Sequence, residues 1–146
     1  MTEFPDPASL LPHAGEMIFV DQLLIHEELR TTCRFTWNRD SPFSDEAGCL
    51  PVALLIEVAA QAVGLHVGLE KGEEEKNPQI GFLIGINQVQ LPEAPLPPGV
   101  ECRIEVEQTW NDQNYGVFIV KILDLQENPI FSGQLKLFQP NPEELP

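Results

Sequence analysis

The spacing of apolar and polar residues changes period several times along the chain, and each change marks an element. MTEFPDPASLLPHAGE (1–16) holds no sustained period and carries Pro5, Pro7 and Pro12, which predicts an arm with one helical turn at 8–11. MIFVDQLLIHE (17–27) is rich in β-branched and long apolar residues, and RTTCRFTW (30–37) alternates polar with apolar side chains. Two strands joined by a turn at Glu27-Glu28 follow from that pattern. NRDSPFSDEAGCL (38–50) is dense in turn formers and ends at Pro51, a favoured first residue of a helix.

PVALLIEVAAQAVGLHVGLEKG (51–72) is apolar on nearly every side and closes on Glu70, Lys71 and Gly72, which predicts a helix buried on most of its circumference. Beyond the acidic stretch GEEEKNP, strand patterns fill 80–91, 100–110, 115–125 and 129–138, with turn formers at PEAPLPPG, 111–114 and 126–128. The tail QPNPEELP carries no pattern.

Two strands, one long greasy helix and four further strands predict an α+β domain, an antiparallel sheet of about five to six strands wrapped around one central helix. At 146 residues the chain has room for a single domain, 1–146, with the arm 1–10 and the tail 139–146 expected to be mobile. The 14 prolines point to many fixed turns.

Charge narrows the function classes. Eight Lys+Arg face 23 Asp+Glu, a formal net charge of -15, which disfavours binding to nucleic acid or to an anionic membrane. Cys33, Cys49 and Cys102 are widely spaced with no CxxC pair, so neither a disulfide framework nor a zinc site is indicated, and no cofactor is expected. The N-terminus lacks the basic and apolar run of a signal peptide, and no apolar stretch is long enough to span a bilayer, which gives a soluble, cytoplasmic expectation.

An ionised carboxylate inside a buried helix needs a reason, and Glu57 lies in the middle of LLIEVAA. Gln61, Gly64 and Gly68 continue its face, giving a polar head followed by a narrow groove suited to an acyl chain or a second backbone. Glu57 is then either paired at a subunit interface or a general acid or base. Backbone N–H groups near Val52 and Ala53, at the helix start, could hold a developing oxyanion. Asp45 and Glu46 are solvated loop acids or site residues, and Cys49 is a packing residue or a nucleophile. His26 and His66 read as structural, whereas His13, between Leu11-Pro12 and the first strand, could project an imidazole toward the helix.

Five strings occur in order: LLPHAGEMIFVDQLL, SPF, LPVALLIEVAAQAVG, GFLIGINQVQL and a terminal FQP. Over about 10–138 they resemble the hot dog fold dehydratases that act on 3-hydroxyacyl thioesters of acyl carrier protein, and most of all the divergent branch associated with aryl polyene biosynthesis. The resemblance implies a homodimer with two sheets joined edge to edge and an acyl pocket at the interface. It implies elimination by a loop histidine and a helix acid, with Glu57 at the acid position and Gln61 at the family's glutamine. The usual histidine position falls on Phe43, the usual oxyanion glycine on Val52, and the arginine that usually follows LPH on Ala14. Gly81 and Phe82, in the GFLIG string, and Asp45 join Phe43, Val52, Ala53 and Gln61 as expected substrate-binding residues.

Three readings follow. His13 takes the α-proton while Glu57 protonates the leaving hydroxyl; or the domain is a non-catalytic acyl-binding or partner subunit; or it is a thioesterase. The substrate is carried by acyl carrier protein or coenzyme A. Carrier proteins are usually acidic, so docking to this chain requires its few cations, and Arg30, Arg34 and Arg39 cluster in sequence.

Overall fold

The computed structural model describes residues 4–11, 15–71, 81–112 and 114–140. A short helix α1 (Pro7–Leu10) and a 3₁₀ turn at Gly15–Met17 precede β1 (Gln22–Glu27) and β2 (Arg30–Thr36). The long helix α2 (Leu54–Lys71) comes next, then β3 (Phe82–Gln90), β4 (Glu101–Asp112), β5 (Tyr115–Asp124) and β6 (Pro129–Phe138). The six strands form one sheet in the order β1-β2-β4-β5-β6-β3, every pair antiparallel. The expected α+β sheet around one helix is therefore present, with β1 and β3 at its edges.

Period-two alternation lays one face of the sheet on α2. Cys33 and Phe35, Cys102 and Ile104, Phe118 and Val120, and Phe131 and Leu135 point inward and are buried with Leu55, Val58, Ala59, Ala62 and Leu65 of the helix. The sheet covers one side of α2. On another side Leu10 and Leu11 of the arm pack on it, which is why apolar residues surround the helix. Within the arm, Phe4, Leu10 and Leu11 pack against the core, and Asp6 caps α1 by accepting the Ala8 N–H.

Several boundaries differ from the sequence expectation. The first strand starts at Gln22 rather than 17, because the Phe19 N–H is donated to the Gln61 side chain at 2.9 Å instead of to a neighbouring strand. The helix starts at Leu54, three residues after Pro51. Leu54, Leu55 and Ile56 donate to the carbonyls of Pro51, Val52 and Ala53, a tighter lead-in turn. Order continues past β6: Gln139 N–H donates to the Asn114 carbonyl at 2.7 Å and Pro140 is buried. The tail beyond Pro140 lies outside the described residues.

β3 breaks the alternation. Phe82, Leu83, Ile84 and Ile86 are 38–50% exposed, on both faces of an edge strand that is hydrogen-bonded on one side only, to β6.

Candidate active site

The polar residues of α2 meet the chain at 17–19. Gln61 is 1% exposed and fully engaged: its Oε1 accepts the Phe19 N–H, and its Nε2 donates to the Met17 carbonyl and, at 3.4 Å, to Glu57 Oε1. The amide thereby satisfies two backbone groups of 17–19 and turns its remaining hydrogen toward the carboxylate one helical turn earlier. Glu57 is half-buried. His13 lies outside the described residues, four positions before the Met17 carbonyl that Gln61 holds.

An aromatic wall adjoins this clamp. The Phe19 ring lies 5.7 Å from Trp37 and 5.6 Å from Phe43, the latter edge-on at 88°. Trp37 donates its indole N–H to Ser44 Oγ at 3.0 Å, which ties the SPF loop to the end of β2. Phe43 thus contributes a ring to an apolar cluster and has no group able to carry a proton.

Ahead of α2, Asp45 Oδ1 accepts the N–H groups of Ala47 and Cys49, both at 2.9 Å, and the Asp45 N–H donates to the Cys49 carbonyl. This carboxylate folds the loop that delivers Leu50 to an antiparallel bridge with Leu96. Val52 and Ala53 follow with their N–H groups unmatched by any acceptor among the described residues, so the helix start can receive a partial negative charge. Cys49 is a half-buried free thiol; burial pushes the thiols of Cys33 and Cys102 up to about 12, which keeps both protonated.

The groove expected along Gly64 and Gly68 is occupied. A Cβ at Gly64 would lie 3.1 Å from Leu11 Cδ2, and one at Gly68 would lie 3.5 Å from the Leu10 carbonyl oxygen. Of the two occupants that the small residues suit, the second backbone is present, and it is the arm of the same chain.

The other expected site residues are dispersed. Phe82 pairs with Phe138, which pairs with Tyr115, and all three lie on the face of the sheet opposite to buried Gly116 and Leu137, hence away from α2. Gly81 is exposed at the start of β3, close to Leu137. Arg30 and Arg34 share the outer face of β2 as expected, each beside a carboxylate: Arg34 is 3.2 Å from Glu101 and Arg30 is 3.9 Å from Glu107. Arg39 lies in the loop, its stem over Gly48, where a φ of +82° and the approach of Arg39 both require glycine.

A second polar constellation carries no sequence signal, because its members come from four elements. Thr31 Oγ1 of β2 lies 2.8 Å from His26 Nδ1 of β1 and 2.7 Å from His66 Nδ1 of α2. His66 Nε2 is 3.0 Å from Gln108 Oε1 of β4, and His26 Nε2 is 2.8 Å from Glu70 Oε1. Thr31 and His66 are fully buried, and burial lowers the imidazole of His66 below the ordinary histidine value. Among the described residues no cluster of His, Cys, Asp and Glu has the size of a metal site, and no helix is long and apolar enough to cross a membrane.

The chain as a whole is similar to several known proteins. The family model described as ApeP-like, ApeP dehydratase, matches residues 5–145. The 3-hydroxyacyl-[acyl-carrier-protein] dehydratase FabZ of Anaeromyxobacter sp. (strain K) is 30% identical over 105 residues, 68% of this chain and 67% of that one. A chain of the dehydratase heterocomplex ApeI:P from Xenorhabdus doucetiae superposes with a TM-score of 0.89 at 27% identity, covering 97% of this chain and 95% of its own. The E. coli PaaI protein of the phenylacetic acid degradation operon shares the fold alone, with a TM-score of 0.64 at 11% identity over 84% of this chain and 80% of its own.

Proposed function

The chain belongs to the ApeP-like dehydratase family, and on that premise we propose that it removes water from a 3-hydroxyacyl thioester to leave the trans-2-enoyl thioester, in polyene or fatty acid type biosynthesis in the cytoplasm. The observation that carries the reading is the Glu57–Gln61 pair, with Gln61 clamped to the backbone at Met17 and Phe19, just downstream of His13.

In this mechanism the His13 imidazole takes the α-proton and the electron pair of that C–H bond becomes the new double bond. The β-hydroxyl leaves as water, its proton supplied by the Glu57 carboxyl group. The unmatched N–H groups at Val52 and Ala53 polarise the thioester carbonyl while charge builds on its oxygen. The test is turnover of a 3-hydroxyacyl thioester by wild type, Glu57→Gln and His13→Ala. Each variant is expected to lose on the order of 10²-fold or more; equal turnover in all three overturns the mechanism.

Phe43 supports a second reading. A ring packed on Phe19 at the position expected for the loop histidine suits a subunit that binds the acyl chain and leaves chemistry to a partner. The relative from Xenorhabdus doucetiae is itself part of a heterocomplex. Retention of an acyl thioester without turnover, restored on adding a homologous subunit, identifies this case, and release of free thiol identifies a thioesterase. In either reading the exposed apolar edge of β3 is the surface for pairing with a second hot dog subunit, a copy of this chain in the homodimer. The thioester is carried by acyl carrier protein or by coenzyme A. An acidic carrier would dock through Arg30, Arg34 and Arg39, and unchanged carrier affinity after replacing all three would favour coenzyme A.

A further inference from the structure

The hydrogens in the run Glu70, His26, Thr31, His66, Gln108 can be counted. Thr31 has one hydroxyl hydrogen and two imidazole Nδ1 neighbours, so it donates to one of them and accepts from the other. Gln108 presents Oε1 to His66 Nε2, which must therefore carry a hydrogen. A neutral His66 then has a bare Nδ1, which accepts from Thr31. Thr31 in turn accepts from His26 Nδ1–H. His26 Nε2 faces the Glu70 carboxylate at 2.8 Å and must also hold a hydrogen. With the Gln108 amide turned this way and His66 neutral, the count places a hydrogen on both ring nitrogens of His26, Nε2 toward Glu70.

Removing one proton cannot leave this order intact, since a bare His26 Nε2 would oppose a carboxylate oxygen. Reversal of the other three bonds satisfies all five groups again. His26 Nε2–H still donates to Glu70, Thr31 donates to His26, His66 Nδ1–H donates to Thr31, and Gln108 turns its NH₂ to His66 Nε2. We propose that these five side chains form a one-proton switch in which the protonation of His26 sets the tautomer of His66 and the orientation of the Gln108 amide.

The packing isolates the run. From α2 the groups facing the histidines are Glu70 and each other's ring; β2 supplies uncharged Thr31, β4 uncharged Gln108, and β5 the Phe118 ring, 5.9 Å from His66. Glu27 and Arg30, paired across the β1–β2 hairpin, lie on the opposite face from His26 and Thr31. Burial of His66 favours its neutral form in both states. Both ends of the run, Glu70 and Gln108, line one cavity of 290 Å³ beside the last turn of α2, so the switch exchanges an amide donor for a carbonyl acceptor in its wall.

The test is nitrogen-15 NMR of the imidazoles in the full chain from about pH 5 to about pH 8.5. The switch requires His66 to change from the Nε2–H to the Nδ1–H tautomer at the midpoint where His26 loses a proton. Thr31→Val should break the coupling while Thr31→Ser keeps it. Gln108→Glu, which can only accept, should hold His66 as Nε2–H throughout. A single His66 tautomer across the range in the wild type, a midpoint separate from that of His26, or a His26 that does not titrate overturns the proposal.

Discussion

Phe43 stands edge-on to Phe19, ring centroids 5.6 Å apart and planes at 88°, and Phe19 is held from its backbone by the same Gln61 that reaches Glu57. Three contacts, through Phe19 and Gln61, therefore connect the position expected for a histidine to the helix acid. Phe43→His places an imidazole on that path and should raise dehydration at least about tenfold over wild type, part of the usual contribution of a positioned base. Phe43→Ala should give no gain and lose about 1–2 kcal/mol in urea unfolding, below the cost of a fully buried ring. An unchanged rate in Phe43→His means that position 43 does not face the thioester.

Gln61 is buried without a charge of its own, and it satisfies one donor and one acceptor of the 17–19 backbone. Gln61→Leu keeps the volume and removes both bonds, leaving the Phe19 N–H and the Met17 carbonyl without their partner. The expected loss is about 2–4 kcal/mol from two stranded backbone groups, measured as a shift in the urea midpoint. Gln61→Glu should recover the Phe19 bond while setting a second carboxylate beside Glu57. Its activity should therefore fall more than its stability, and a loss of stability without loss of activity would separate Gln61 from the chemistry.

The local periodicities of the sequence located every strand and the central helix, because a half-buried strand and an all-round buried helix each write their environment into the residue order. The pairing of Glu57 with Gln61 was legible for the same reason, being one turn of one helix. What lay beyond reach was non-local. Nothing in MIFVDQLL shows that Phe19 gives its N–H to a side chain 42 residues away, which is why the first strand starts late. Gly64 and Gly68 announced a close approach but not that Leu11 and Leu10 make it. His26, Thr31, His66 and Gln108 share a core site only because four elements converge there, and His66 on its apolar helix was readable only as structural.

Burial keeps His66 uncharged, its imidazole lying below the ordinary value of 6.5. As pH falls below about 6.5 the unfolded chain takes a proton at His66 before the native chain does, so the unfolded state binds more protons and stability declines. This part of stability is present above the unfolded value and is lost as pH falls through the window between 6.5 and the lowered native value. His66→Asn removes the titrating ring, and in urea titrations its stability should fall less steeply with acid, by up to about 1.4 kcal/mol per pH unit. Equal slopes for variant and wild type would mean that His66 takes up its proton equally in the native and unfolded states.

The edge of β3 exposes Ile84 at 50% and Ile86 at 38%, whereas Ile119 on the outer face of central strand β5 is exposed to a similar 37%. Exposure alone does not distinguish them; backbone does. Ile119 belongs to a strand paired on both sides, while β3 presents a row of N–H and C=O groups with β6 on one side only. An edge of that kind is a template for a second strand unless a charge guards it, and Phe82–Gln90 contains no charged residue. Ile84→Lys combined with Ile86→Lys should convert the proposed dimer to a monomer in light scattering and remove the concentration dependence of the melting temperature. Ile119→Lys adds a single lysine to a face that needs no partner strand, and should leave the mass unchanged. If Ile119→Lys dissociates the assembly and the β3 pair does not, the subunits meet through the outer face of the sheet, where Tyr115, Phe138 and Phe82 form a row across three strands.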